Sequence, residues 1–186
     1  MKTGFLPIAA LGLTLTSGSV FAQDDSSLAA EQLAAKFMAQ QATRGLVIAP
    51  SGDAAAEATD PNALPADTTF VALDPSAQVN FQIKFAFDSA ALAEDEAAKL
   101  DTLCEVIKAS DIPQFKIIGH TDAAGTDTYN QNLSLLRAEE VKRHLVDDCG
   151  VPDTKLLAEG VGEAFPLDPN DPRADVNRRV EFQVGS

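Results

Sequence analysis

Cations, histidine, cysteine and tryptophan are all scarce in this chain of 186 residues. It has 14 Lys and Arg against 28 Asp and Glu, a formal net charge of −14, no tryptophan, one tyrosine, two cysteines and two histidines. The charge balance excludes nucleic acid and acidic membranes as ligands, since both require a cationic surface. Two cysteines are too few for a disulfide-stapled scaffold. His120 and His144 offer no relay to a nucleophile and no two-His metal site, and no Ser or Cys stands in a nucleophile-like context. No catalytic constellation, resident metal or cofactor is therefore expected, and the chain reads as a binding protein and not an enzyme. Long apolar runs are missing too, because the most apolar stretch, residues 5–16, is too short to cross a bilayer as a helix.

That stretch has another reading. Lys2 precedes it, and Val20-Phe21-Ala22 follows with small residues at the −3 and −1 positions, the pattern of a cleavable secretory signal over residues 1–22. Its removal takes one Lys and no acid, leaving a net charge of −15. In an exported protein the pair Cys104 and Cys149 favours a disulfide over metal or redox chemistry, with two separate buried thiols as the alternative. Residues 23–45 read as one helix, capped by Ser26 or Ser27, with Leu28, Leu33, Phe37 and Met38 near one side. Such a helix docks on the following domain, pairs with another chain, or frays. Residues 46–74 carry Pro50, Pro61 and Pro65 among Ala, Asp and Ser without periodicity, which marks an acidic linker.

Residues 75–186 have the patterning of a compact domain. Val79, Phe81, Ile83, Phe85 and Phe87 alternate with polar or small residues, the period of a half-buried strand. Asp88-Ser89 can cap the turn into a helix over 93–108. A short strand at 115–118, a helix at 128–147 ended by Gly150, and strands at 156–159 and 176–184 complete the set. The order strand, helix, strand, helix, strand, strand predicts an α+β fold. It is a two-layer sandwich in which a mixed sheet of about four strands carries two helices on one face.

One stripe of the second helix does not fit a plain core. Asn130, Ser134, Arg137, Val141 and Leu145 share a face at 3.6 residues per turn, so Arg137 points inward or at the rim of the core. A desolvated guanidinium cannot neutralise itself and needs a carboxylate or a ligand anion. Asp122, in the loop before the helix, is the candidate partner. Spacing leaves two readings equally open, a structural ion pair and a ligand site. Arg178 shares the apolar phase of the last strand in the same way. His120 reads as structural or as the edge of a pocket.

Phe87-Asp88-Ser89, then Gly119-His120-Thr121-Asp122 with Gly125, Tyr129-Asn130, Leu133-Ser134, Arg137-Ala138 and Val141, then Asn177-Arg178-Arg179-Val180 resemble the motifs of the OmpA-like peptidoglycan-binding domain. That family includes the peptidoglycan-associated lipoprotein and the flagellar stator B subunit, and the resemblance spans residues 75–186. It implies the fold above, and a periplasmic, non-catalytic site for the peptide stem of peptidoglycan that supports the integrity of the cell envelope. By resemblance, Asp122 binds the ammonium of diaminopimelate and Arg137 its carboxylate. Asn130, Thr121, Asp88 and Arg178 surround them, and Leu133 shapes the wall. The lipid anchor, membrane helix or barrel that often accompanies this domain has no counterpart in the motifs read here. An alternative function is an adaptor whose N-terminal helix binds an outer-membrane or periplasmic protein.

Overall fold

The computed structural model describes residues 24–43, 70–85 and 89–185. The signal segment, most of the expected linker and Asp88 lie outside the described residues. The elements are α1 (Ala30–Thr43), β1 (Val79–Phe81), α2 (Glu94–Ala97), α3 (Asp101–Ala109), β2 (Phe115–Gly119), α4 (Asp127–Asp147), β3 (Leu156–Gly160) and β4 (Val180–Val184). They form a four-stranded mixed sheet in the order β1-β4-β2-β3. Strands β2 and β3 are parallel, which requires a crossover, and α4 is that crossover. Strand β4 runs antiparallel to both of its neighbours. The α+β fold with helices packed on a mixed sheet is as expected.

Strand β1 is much shorter than the alternation over 79–87 suggests. Its register with β4 runs only from Val79 opposite Phe182 to Phe81 opposite Val180. Before Val180 the chain leaves the sheet through a 3₁₀ turn at Asp175–Asn177, so β4 offers no partner to residues beyond Phe81, and Phe85 instead makes an isolated antiparallel bridge to Leu92. The Ile83 N–H turns back to the Phe81 carbonyl (3.1 Å), and the Lys84 N–H donates to the Glu96 carboxylate (2.9 Å). The same turn shortens the last strand, which begins at Val180 and not at 176. The helix expected over 93–108 is interrupted by a 3₁₀ turn at Ala98–Leu100, where Lys99 reaches the Gln82 carbonyl (3.1 Å) and Glu96 (2.6 Å).

Helix α1 joins the helical layer as a third member. Leu33 and Phe37, one turn apart, are fully buried, and the Phe37 ring meets Phe115 edge-on at 5.0 Å. Polar contacts fix its position. Gln40 donates to the Ala77 carbonyl (2.8 Å) and accepts from the Val184 N–H (2.9 Å), while Lys36 donates to Asp25 (2.8 Å) and to the Gln78 carbonyl (3.0 Å). Asp25 in turn accepts from the Asn80 N–H at 3.0 Å. Of the three fates open to this segment, docking on the domain is the one realised. A disulfide between Cys104 of α3 and Cys149, two residues past α4, ties two members of the layer together.

The opposite face of the sheet is polar yet buried. Lys116 faces Glu159 at 3.8 Å, Arg179 Nη2 lies 3.6 Å from Glu181, and Gln183 donates to Glu181 at 2.7 Å. The segment after residue 69 crosses this face: Gln183 donates to the Val71 carbonyl (3.1 Å), and Phe70 packs on Phe165 (4.5 Å) and on His120 (5.9 Å). His120 and Glu181 are almost completely excluded from solvent as a result.

Candidate functional site

The site lies where β2 ends, α4 begins and the chain enters β4. Its geometry depends on α4 lying very close to the parallel strands. A Cβ at Gly119 would collide with the Ser134 carbonyl, and one at Gly160 with the Leu135 backbone, so glycine at both positions lets the helix approach. Ser134, on the same stripe, accepts from the Gly162 N–H (2.9 Å) and donates to the Gln131 carbonyl (2.8 Å), pinning the loop after β3 to the helix. Thr126 caps α4 by accepting from the Tyr129 N–H at 3.3 Å.

Asp122 sits in the loop between β2 and α4 with most of its side chain covered. Oδ1 accepts from the Ala124 N–H (2.9 Å), and Oδ2 accepts from Arg178 Nη1 (2.7 Å). The partner expected from the spacing was Arg137, and the structure corrects this. Arg178 precedes β4 and so is not held in the strand's phase; from that position its guanidinium bridges Asp122 and Asp175 (2.6 Å). These hydrogen bonds, with Asp122 first, hold the Arg178 guanidinium above its ordinary pKa.

Arg137 is left differently placed. It is only 9% exposed, its Nε has no hydrogen-bond partner among the described residues, and its guanidinium carbon lies 4.8 Å from the centre of the Phe85 ring. Burial pushes its pKa down; Tyr129 and Asp122 oppose the shift, and the neighbouring charge of Arg178 adds to it. An arginine in this position remains protonated and keeps donors to spare. It opens on a cleft of about 280 Å³ lined by Gln82, Ile83, Lys84, Phe85, Arg137, Asp175 and Arg178.

The other expected residues take supporting positions. Asn130 is buried and donates to the Asp122 carbonyl (3.3 Å) and to Glu163, so it fixes the loop from behind. Thr121 is buried, with its N–H on the Gly162 carbonyl (2.9 Å) and no partner for its hydroxyl among the described residues. Leu133 is half-buried and is not among the residues that line the cleft. Asp175, Lys84, Phe85 and Glu163 belong to the site without having been singled out by sequence. Asp175, three residues before Arg178 in a turn, left a faint signal; the others left none.

Residues 84–179 match the OmpA family. This chain belongs to that family. Among its relatives, outer membrane porin F of Pseudomonas aeruginosa is 38% identical over 110 residues, covering 58% of this chain and 31% of the porin. Outer membrane protein A of Bordetella avium is 35% identical over 103 residues, 54% of this chain and 52% of that protein. The chain thus spans 31% of the length of the one relative and 52% of the other. In structure it is similar to the OmpA-like domain of FopA1 from Francisella tularensis, at 28% identity and a TM-score of 0.50, covering 56% of this chain and 69% of that one. The peptidoglycan-associated lipoprotein of Burkholderia pseudomallei is 30% identical, with a TM-score of 0.47, over 54% of this chain and 86% of its own. These OmpA-family relatives are named as envelope proteins and not as enzymes. Among the described residues of this member, no helix is long and apolar enough to cross a membrane.

Proposed function

We propose that this OmpA-family protein binds peptidoglycan non-covalently in the periplasm, through the diaminopimelate of the peptide stem, and so supports the cell envelope. The observation that carries the reading is Arg137, a desolvated guanidinium with an unsatisfied Nε, opening on a cleft that is also lined by Arg178, the partner of the Asp122 carboxylate. Diaminopimelate ends in an amino-acid zwitterion, a cation and an anion on one carbon. A guanidinium grips the carboxylate through two parallel hydrogen bonds, and a carboxylate takes the ammonium. Asp122 is already held by Arg178, so the incoming ammonium replaces Arg178 on Oδ2. Asp175 keeps Arg178 at hand for the ligand's carboxylate. Asn130 and Thr121 hold the loop in place. Membership of the OmpA family supports the choice of ligand.

Co-sedimentation of the protein with insoluble diaminopimelate-type peptidoglycan tests this reading. Wild type pellets, free diaminopimelate competes, and folded Arg137→Ala stays in the supernatant. A wild type that stays soluble would remove the proposal. The adaptor reading requires an N-terminal helix with a free apolar face. Leu33 and Phe37 are already spent on the helix's own domain, and only Met38 of that side is exposed among the described residues, which favours wall binding.

A further inference from the structure

We propose that, once its disulfide is reduced, this protein binds a thiophilic divalent cation, zinc above all, through Cys104, Cys149 and His144. The sulfurs of Cys104 and Cys149 and one ring nitrogen of His144 all lie within 4.8 Å of one another. His144 Nε2 is 3.9 Å from Cys149 Sγ, already close to the edge of a tetrahedron of zinc ligands, about 3.5–3.8 Å for metal bonds of about 2.0–2.3 Å. The two Cα atoms are 5.8 Å apart, so side-chain rotation is enough to spread the freed sulfurs to that edge.

A second observation points to a ligand. His144 Nδ1 is 2.9 Å from Asp148 Oδ2. This contact places the proton on Nδ1 and leaves the Nε2 lone pair facing the sulfurs, the carboxylate–histidine arrangement that orients and strengthens metal-binding imidazoles. The three ligands come from separate parts of the helical layer, Cys104 from α3, His144 from the last turn of α4 and Cys149 from just beyond it. Cys104 is buried, while His144 and Cys149 are partly open to solvent. That opening gives the ion an entry path and leaves water as the fourth ligand. The site shares none of the lining residues of the wall-binding cleft, although His144 follows Arg137 by two turns of α4.

The chemistry balances in two steps. A dithiol reductant gives two electrons and two protons to the bridge, yielding two thiols and the reductant's own disulfide. The divalent cation then displaces both thiol protons and binds two thiolates and one neutral imidazole. Oxidised and metal-loaded forms exclude each other, so the pair of helices is joined by the disulfide or by the ion.

The test uses the full mature chain reduced with a phosphine, freed of reductant under anaerobic conditions and titrated with Co²⁺ and then Zn²⁺. The reduced protein should take up one Co²⁺ with thiolate-to-cobalt charge-transfer and tetrahedral d–d absorption, and Zn²⁺ should bleach both. The disulfide form should show neither. His144→Ala should weaken binding by more than tenfold, and Asp148→Asn by roughly tenfold through loss of the orienting carboxylate. Equal cobalt uptake by oxidised and reduced protein, or unchanged affinity in His144→Ala, would overturn the proposal. If reduction itself unfolds the chain, Zn²⁺ should restore its circular dichroism; a reduced chain that stays unfolded at saturating Zn²⁺ would overturn it equally.

Discussion

The Asp122 carboxylate is held by Arg178, Nη1 to Oδ2 at 2.7 Å, and not by the more deeply buried Arg137. The two arginines therefore play different parts. Arg178 and Asp175 form, with Asp122, a closed ion triad at the rim, with Arg178 40% and Asp175 87% exposed on their side chains. Arg137 lies deeper and holds unspent hydrogen-bonding capacity. Of the two, only Arg137 gains from a new anion without first losing a partner.

This asymmetry predicts how substitutions at position 137 behave. Arg137→Lys keeps the charge but loses the planar pair of donors, so it should not restore wall binding; both Lys and Ala should reduce affinity on the order of 100-fold. In Arg137→Ala stability should change by no more than about 1 kcal/mol, because the lost contact with Phe85 is offset by relief of an unpaired, desolvated charge. Thermal melts beside the sedimentation assay check this. A large drop in melting temperature with normal binding would make Arg137 a structural cation.

At position 178 the expected outcome is milder. Arg178→Ala removes a partly exposed bridge, so a double-mutant cycle with Asp122→Asn should return a coupling of about 1 kcal/mol or less in stability. In binding, Asp122→Asn should cost more than Arg178→Ala, since Arg178 leaves Asp122 when the ammonium arrives. Equal losses from the two, read by titration of free diaminopimelate, would show that Arg178 contributes as much to the ligand's carboxylate as Asp122 does to its ammonium.

Phe37→Ala should destabilise the whole domain by about 3–4 kcal/mol, through the lost ring and the cavity left beside Phe115. Deleting residues 24–43 should go further, exposing the Phe115 side of the sheet. Urea unfolding followed by circular dichroism would measure both. A truncated chain as stable as the full one would return α1 to the status of a separate element.

These predictions depend on features of unequal legibility. The segment from β2 through the glycine-marked loop into α4 was readable because its periodicities are clear and the family motifs fall on it in order. The docking of α1 was one of three open outcomes, because Leu33 and Phe37 announce an apolar stripe but not its partner. What decides the matter is Gln40 and Lys36 meeting backbone atoms far away in sequence, which no local pattern carries. The pairing of Asp122 was misread for a related reason. Helical phase correctly buries Arg137, yet the reach of Arg178 depends on the turn at Asp175–Asn177, and that turn lies within a stretch whose alternation imitates a strand. The polar interior of the opposite face was equally hidden, since alternation assigns Lys116, Glu181 and Gln183 to solvent until the chain after residue 69 covers them.

That covered face leads to the last prediction, which concerns pH. His120 is 1% exposed, packed by Phe70, with Nε2 3.3 Å from Glu181 Oε2 but without hydrogen-bond alignment. Burial pushes its pKa down from 6.5 to about 4; Glu181 opposes the shift, but Arg179 already faces that carboxylate and adds its own repulsion. Since the folded value is below the unfolded one, the unfolded chain binds more protons between these limits, and stability falls as pH drops from about 6.5 towards 4. The loss from this group alone is at most about 3 kcal/mol, and its upper part, between pH 6.5 and 5, precedes the titration of ordinary carboxylates. His120→Phe, an aromatic of similar size beside Phe70, should flatten the stability profile in that window and leave it unchanged above pH 7. An NMR titration placing the folded-state pKa of His120 near 6.5 would remove the basis for the effect, whatever the melting curves show.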